Sequence, residues 1–149
     1  MSLDATIVQL ARTRPFDEMP RDALQLVAFS AETRKLAAGE ELFRQGETAD
    51  CAYFVLSGVI GQTVAGATRA HSARAGALIG ESALLTEVER PATARATQAA
   101  TLLRITRPVF QRVLGEFPSE AAKMRARLAK KTRSLARQLD ALRERALAD

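Results

Sequence analysis

The chain of 149 residues has no tryptophan, one tyrosine (Tyr53), one cysteine (Cys51) and one histidine (His71). Each scarcity removes a class of function. With aromatics at 5 %, a stacking platform for single-stranded nucleic acid is poorly supported, because such surfaces rest on base–ring contacts. A lone cysteine forms no internal disulfide and suits a reducing cytoplasm, the location expected of this chain. A lone histidine cannot supply the cluster of His and carboxylate ligands that holds a catalytic metal. An enzyme of the cupin type is therefore rejected, and no catalytic or metal-binding residue is assigned. No apolar run approaches a membrane span, and the start carries Asp4 without a long apolar leader segment.

What charge there is lies at one end. Residues 1–118 hold 13 Lys/Arg and 13 Asp/Glu, whereas residues 119–149 hold 9 and 4, so the formal +5 belongs to the tail. A basic helix can seek nucleic acid or an acidic partner; the plainer reading is a solvated face. No recognition module accompanies it, which disfavours DNA.

The length suits one domain with a core of its own. Leu3, Ile7 and Leu10 recur at helical spacing after Ser2, and Pro20 at a first helical position opens a second helix with Leu24, Val27 and Ala28 inside. From Thr33 to Thr106 short strands punctuated by glycine take over. Glu41 to Arg44, Ala52 to Leu56, Val59 to Val64 and Ala67 to Arg74 read as strands, with a bend or bulge at Gly58 and a hairpin turn at Ala65-Gly66. Ala92 to Ala99 alternates weakly, and Leu103 and Ile105 are expected to point inward. The fold class is mainly β with flanking helices. The pattern fits a double-sheet jelly roll or a related barrel and does not separate them. Pro108 to about Leu114 reads as a helix ended by Gly115 and Pro118. In the long final helix that follows, Leu128, Leu135 and Leu142 fall seven apart, each followed four residues later by Thr132, Leu139 and Ala146. That is a thin coiled-coil-like stripe, suited to a homodimer or to a partner protein.

The stretch Gly76-Ala-Leu-Ile-Gly80-Glu81-Ser82-Ala83-Leu84-Leu85, with Arg90-Pro91-Ala92-Thr93 after it, organises the rest. Gly80 and Ala83 are small enough for backbone amides to approach a ligand. Glu81 offers two strong acceptors for a pair of sugar hydroxyls, and Arg90 a fork of donors for a phosphate. Taken singly each has a bland alternative: Glu81 as a carboxylate at a helical turn, Arg90 as a loop residue paired to Glu87 or Glu89.

In this order the residues resemble the phosphate-binding cassette of the cyclic-nucleotide-binding domains of the catabolite activator protein and the protein kinase A regulatory subunit. Gly39, Leu42-Phe43-Arg44-Gln45-Gly46-Glu47 and Tyr53-Phe54-Val55-Leu56-Ser57-Gly58 carry the resemblance beyond the cassette. It implies a double-stranded β-helix (jelly roll) with N-terminal helices over 1–30, the roll with its cassette 80–93 over 31–106, and a hinge helix and long C-terminal helix over 107–149. It implies cAMP or cGMP as ligand, without a metal. Gly80, Glu81, Ser82, Ala83, Arg90, Pro91, Ala92 and Thr93 would bind it. Glu81 would take the ribose 2′-hydroxyl, Arg90 the phosphate, and the Ala83 amide a phosphate oxygen. The base would lie near Val64 and Ala73, with Arg95, Arg127, Lys130 or Arg133 in reach. Leu84, pressed against Phe110 and Leu114, would relay binding to the helices. Pro91 departs from the family's pattern: it has no N–H, so one phosphate donor is lost. The lost hydroxyl at that position favours cAMP over cGMP, and the lost donor leaves open a jelly roll that no longer binds nucleotide.

Overall fold

A computed structural model describes residues 2–66, 70–127, 129, 130, 133 and 137. The N-terminal layer is α1 (Leu3–Leu10), a 3₁₀ turn at Phe16–Glu18, and α2 (Arg21–Ser30). Ser2 caps α1 by accepting from the Ala5 amide at 3.2 Å, satisfying one donor that the helix leaves unpaired. Pro20 is the N-cap of α2, one position earlier than the first helical residue.

Among the described residues eight strands follow, all paired antiparallel: β1 (Glu32–Leu36), β2 (Glu41–Phe43), β3 (Thr48–Ala49), β4 (Cys51–Thr63), β5 (Ala70–Arg74), β6 (Leu78–Ile79), β7 (Val88–Glu89) and β8 (Thr93–Thr106). The main sheet runs β1-β8-β4-β5, with β2 added to β8 and β6 to β4, while β3 and β7 form a separate pair. This is the jelly roll with flanking helices. The two segments read as separate strands around Gly58 are one strand, β4, whose register against β8 shifts between Val55 and Ile60. Gly58 has φ 86°, and a Cβ there would stand 2.2 Å from the Ala99 carbonyl oxygen, so only glycine fits where the strands close. Residues 67–69, read from sequence as the start of β5, lie outside the described residues.

Period-two alternation makes β4 the wall between two cores. Ala52, Phe54 and Leu56 face the helices, packing with Phe16, Leu84, Phe110 and Leu114. Cys51, Tyr53 and Val55 face the interior of the roll with Phe43, Ile60 and Leu102. On β8, Leu103 and Ile105 are buried against the helices, and the interior of the roll is filled by Ala94, Ala96, Ala100 and Leu102 instead.

α3 (Arg107–Glu116) begins one residue before Pro108 and includes Gly115; Thr106 caps it by accepting from the Val109 amide at 3.4 Å. Helix α4 is described over residues 118–127, with Ala121 and Met124 buried in the helical core. The stripe of Leu128, Thr132, Leu135, Leu139, Leu142 and Ala146 lies outside the described residues.

Candidate functional site

Gly80 turns the chain out of β6 with φ 82° and is the N-cap of a 3₁₀ turn, Glu81–Leu84. Below it the β3–β7 pair holds the returning arginine: Arg90 donates its amide to the Glu47 carbonyl at 2.7 Å and accepts from Gly46 at 2.8 Å. A cavity of about 360 Å³ lies between, lined by Gly80, Glu81, Ser82, Arg90, Pro91 and neighbours from β3, β6 and β7. Its size falls within the range of small-ligand pockets.

Arg90 is buried, 5 % exposed. Its Nη2 donates to the Cys51 carbonyl at 2.8 Å and to Cys51 Sγ at 3.3 Å. The guanidinium carbon stands 4.2 Å from the Phe43 ring centre and 5.6 Å from that of Tyr53. Nη1, buried as well, has no hydrogen-bond partner among the described residues. Glu87 and Glu89 are not its partners. Ring faces offset part of the charge, but an unpaired buried cation is costly until an anion meets it. A Cβ on residue 80 would come 2.5 Å from Nη1, so glycine keeps open the side on which an anion would approach.

Glu81 is ion-paired: Arg127 Nη2 on α4 lies 3.0 Å from its Oε1, the two side chains being 23 % and 19 % exposed, and Arg127 Nη1 lies 4.0 Å from Glu18. Arg127 is thus not a solvated base-side residue; it ties α4 to the cassette and to the N-terminal turn. Lys130 and Arg133 are exposed. Ser82 is exposed on the cavity wall.

Three expected residues stand apart from the cavity. The Ala83 amide donates to the Gly80 carbonyl at 3.0 Å, closing the 3₁₀ turn, and Ala83 is fully buried. Ala92 is buried, and the Thr93 hydroxyl accepts from the Gln45 amide at 3.0 Å. Val64 and Ala73, expected beneath a base, do not line this cavity. Arg95 faces outward, 3.8 Å from Glu41, and His71 is exposed. Leu84, Phe110 and Leu114 share one buried cluster, with the 3₁₀ turn packed on α3.

Arg107 escaped the sequence reading. Its Nε donates to the Ala83 carbonyl at 2.9 Å and its Nη2 to the Ala49 carbonyl at 2.7 Å, so the first residue of α3 grips both the cassette and β3. The available signal was a cation at a helix N-terminus, where the dipole disfavours one.

The chain belongs to the cyclic nucleotide-binding domain family, which matches residues 33–117. Curated relatives include cAMP-dependent protein kinase regulatory subunits and lysophospholipases. A cAMP-dependent protein kinase regulatory subunit of Yarrowia lipolytica is 30 % identical over 99 residues, 66 % of this chain and 26 % of that protein. The structure of a cyclic nucleotide-binding-like protein from Brucella abortus is similar with TM-score 0.69 and 36 % identity, over 75 % of this chain and 99 % of that one. The catabolite activator protein of Thermus thermophilus gives 0.66 and 26 %, over 83 % and 60 %. The chain spans between 8 % and 28 % of the length of the curated relatives it matches. Among the described residues no helix is long and apolar enough to cross a membrane, and no group of three or more His, Cys, Asp or Glu could hold a metal.

Proposed function

We propose that the chain is a cyclic-nucleotide sensor that prefers cAMP, holding the cyclic phosphate on Arg90 and a ribose hydroxyl on Glu81. The observation that carries this reading is the orphaned Nη1 of Arg90 beside Gly80. A phosphate there supplies the missing acceptor, and a charge-assisted bond of this kind contributes about 1.5–3 kcal/mol. Ser82 and Pro91 form the cavity wall against the ligand. The Ala83 amide joins the phosphate only if the 3₁₀ turn loosens. The preference for cAMP over cGMP rests on Pro91, which offers no hydroxyl to a guanine, and agrees with the kinase relative's name.

Signal transmission follows from the Glu81–Arg127 pair. A ribose hydroxyl and Arg127 compete for one carboxylate, so nucleotide binding frees α4 from the cassette. The ligand shifts the helix only by its differential affinity for the paired and released arrangements. Leu84, against Phe110 and Leu114, and Arg107, on the Ala83 carbonyl, carry the cassette's movement into α3. A single domain over 1–149 with a buried Cys51 in no disulfide suits a cytoplasmic sensor.

A second reading has observations of its own. Pro91 lacks an amide donor, Ala83 spends its own within the turn, and Glu81 is engaged by Arg127. These favour a jelly roll that serves only as an interaction domain. Calorimetric titration with cAMP and cGMP separates the two: the sensor binds cAMP in the micromolar range and Arg90→Ala abolishes the heat, whereas the degenerate domain shows none at millimolar nucleotide.

A further inference from the structure

The sheet carries another cavity on its helix-facing side. It measures about 560 Å³, lies between the surface of β1, β8 and β4 and helices α1 and α2, and shares no lining residue with the cavity beside Arg90. Strand register sorts its floor by chemistry. Lys35 on β1 is the partner of Thr101 on β8, and Thr101 is the partner of Ser57 on β4. Cross-strand partners share a face, so an ammonium and two hydroxyls form one row across three strands. Beside that row the floor is apolar, made by Leu56 and Leu103, and Leu3 of α1 forms part of the wall. Leu56 and Ser57 both reach the cavity because β4 shifts register between Val55 and Ser57, as a bulge allows.

The protein leaves this polar row unused. Among the described residues Lys35 has no ion pair, and the hydroxyls of Thr101 and Ser57 have no side-chain hydrogen bond. No Asp or Glu lines the cavity. The acids adjacent in sequence are engaged elsewhere: Glu32 lies 3.4 Å from Arg104, and Asp4 lies 3.3 Å from Arg21. Three donors with no acceptor call for an acceptor-only group, which an ionised carboxylate is. A phosphate would call for the planar fork of an arginine, and none lines the cavity. The leucines beside the row suit a hydrocarbon chain, and the volume is that of a small-ligand pocket. We infer that this cavity binds a medium-chain carboxylate, its headgroup on Lys35, Thr101 and Ser57 and its chain along Leu56, Leu103 and Leu3. The inference is independent of whether the cassette takes nucleotide.

The test is calorimetric titration of the full chain with decanoate, kept below its micelle-forming concentration. Wild type binds about one equivalent, and from octanoate to decanoate the affinity rises about fourfold for each methylene buried. Lys35→Glu sets a like charge at the headgroup and Leu3→Asp sets one beside the chain; each weakens binding about tenfold or more. Both positions are exposed, and an acid in the first turn of α1 suits the helix dipole, so both variants keep the wild-type melting temperature. Decanol, which has no charge, binds equally to wild type and Lys35→Glu. In amide NMR spectra decanoate shifts Ser57 and Thr101 and leaves Gly80, Glu81 and Ser82 in place. Absence of heat at millimolar decanoate, an affinity unchanged in Lys35→Glu, or shifts centred on Gly80 and Arg90 overturns the inference.

Discussion

A carbonyl, a thiol and two ring faces hold the Arg90 guanidinium in place, so in the proposed function it is positioned for the phosphate. Such preorganisation means that little order is lost on binding. It also makes the arginine sensitive to its one open side. Gly80→Ala puts a methyl within 2.5 Å of Nη1 at a φ of 82°, a conformation that costs a non-glycine residue about 1–3 kcal/mol. The variant is expected to fold with a lowered melting temperature and to lose cAMP binding at least tenfold in titration; wild-type affinity would show that the cavity beside Nη1 is not where phosphate enters. Tyr53, on the far side of the guanidinium, is readable alone, since the chain has no other tyrosine and no tryptophan. Burial raises its pKa above the usual 10.0, and the Cys51 thiol adds to the rise, while Arg34 and Arg104 oppose it. A phenol that keeps its proton longer when folded stabilises the fold below pH 10. That contribution is lost as pH climbs through the raised value. Tyrosinate absorbance should accordingly appear later in native protein than in urea-unfolded protein; coincident curves would contradict the burial.

Between residues and fold stand the connections from the cassette to α3 and α4. Removing one partner of the Glu81–Arg127 pair tests whether it restrains α4. With both side chains about one-fifth exposed, the pair contributes on the order of 0.2–1 kcal/mol. Arg127→Gln is therefore expected to tighten cAMP binding about two- to fivefold and to speed amide exchange over residues 118–127 without ligand. Weaker binding in that variant would mean that Arg127 supports the nucleotide and does not compete with it. These connections were the least legible part of the sequence. Arg127 is one of nine basic residues in the tail, and nothing local distinguishes the one that meets Glu81, since the contact spans 46 positions. Arg107 was hidden likewise, because carbonyls at Ala49 and Ala83 leave no side-chain pattern. By contrast Gly80, Glu81 and Arg90 were readable, their geometry being set by a local turn and by residue types that few other tasks require. The hydrogen bond that the Ala83 amide makes within the turn was not legible, because the length of the turn depends on packing.

At the scale of the whole molecule, glycine punctuation and alternating apolar residues exposed the short strands and the family resemblance implied the roll, but neither gave its division into two cores. The sequence run Ala52 to Leu56 is apolar at every position, and such a run says that both faces are covered without saying by what. Assignment of one face to the helices and the other to the roll needed the pairing of β4 with β8, in which Cys51 meets Thr106. That pairing also has a kinetic consequence. Every cassette residue lies inside the loop that these two strands close, so the cavity beside Arg90 does not exist until Cys51 and Thr106, far apart in the chain, have met. Closure of long loops comes at an entropic cost borne early in folding. Nucleotide can then act only on the finished structure. In stopped-flow experiments, saturating cAMP should leave the refolding rate unchanged and slow unfolding, so that the ligand serves as a brake on opening and never as a template for assembly.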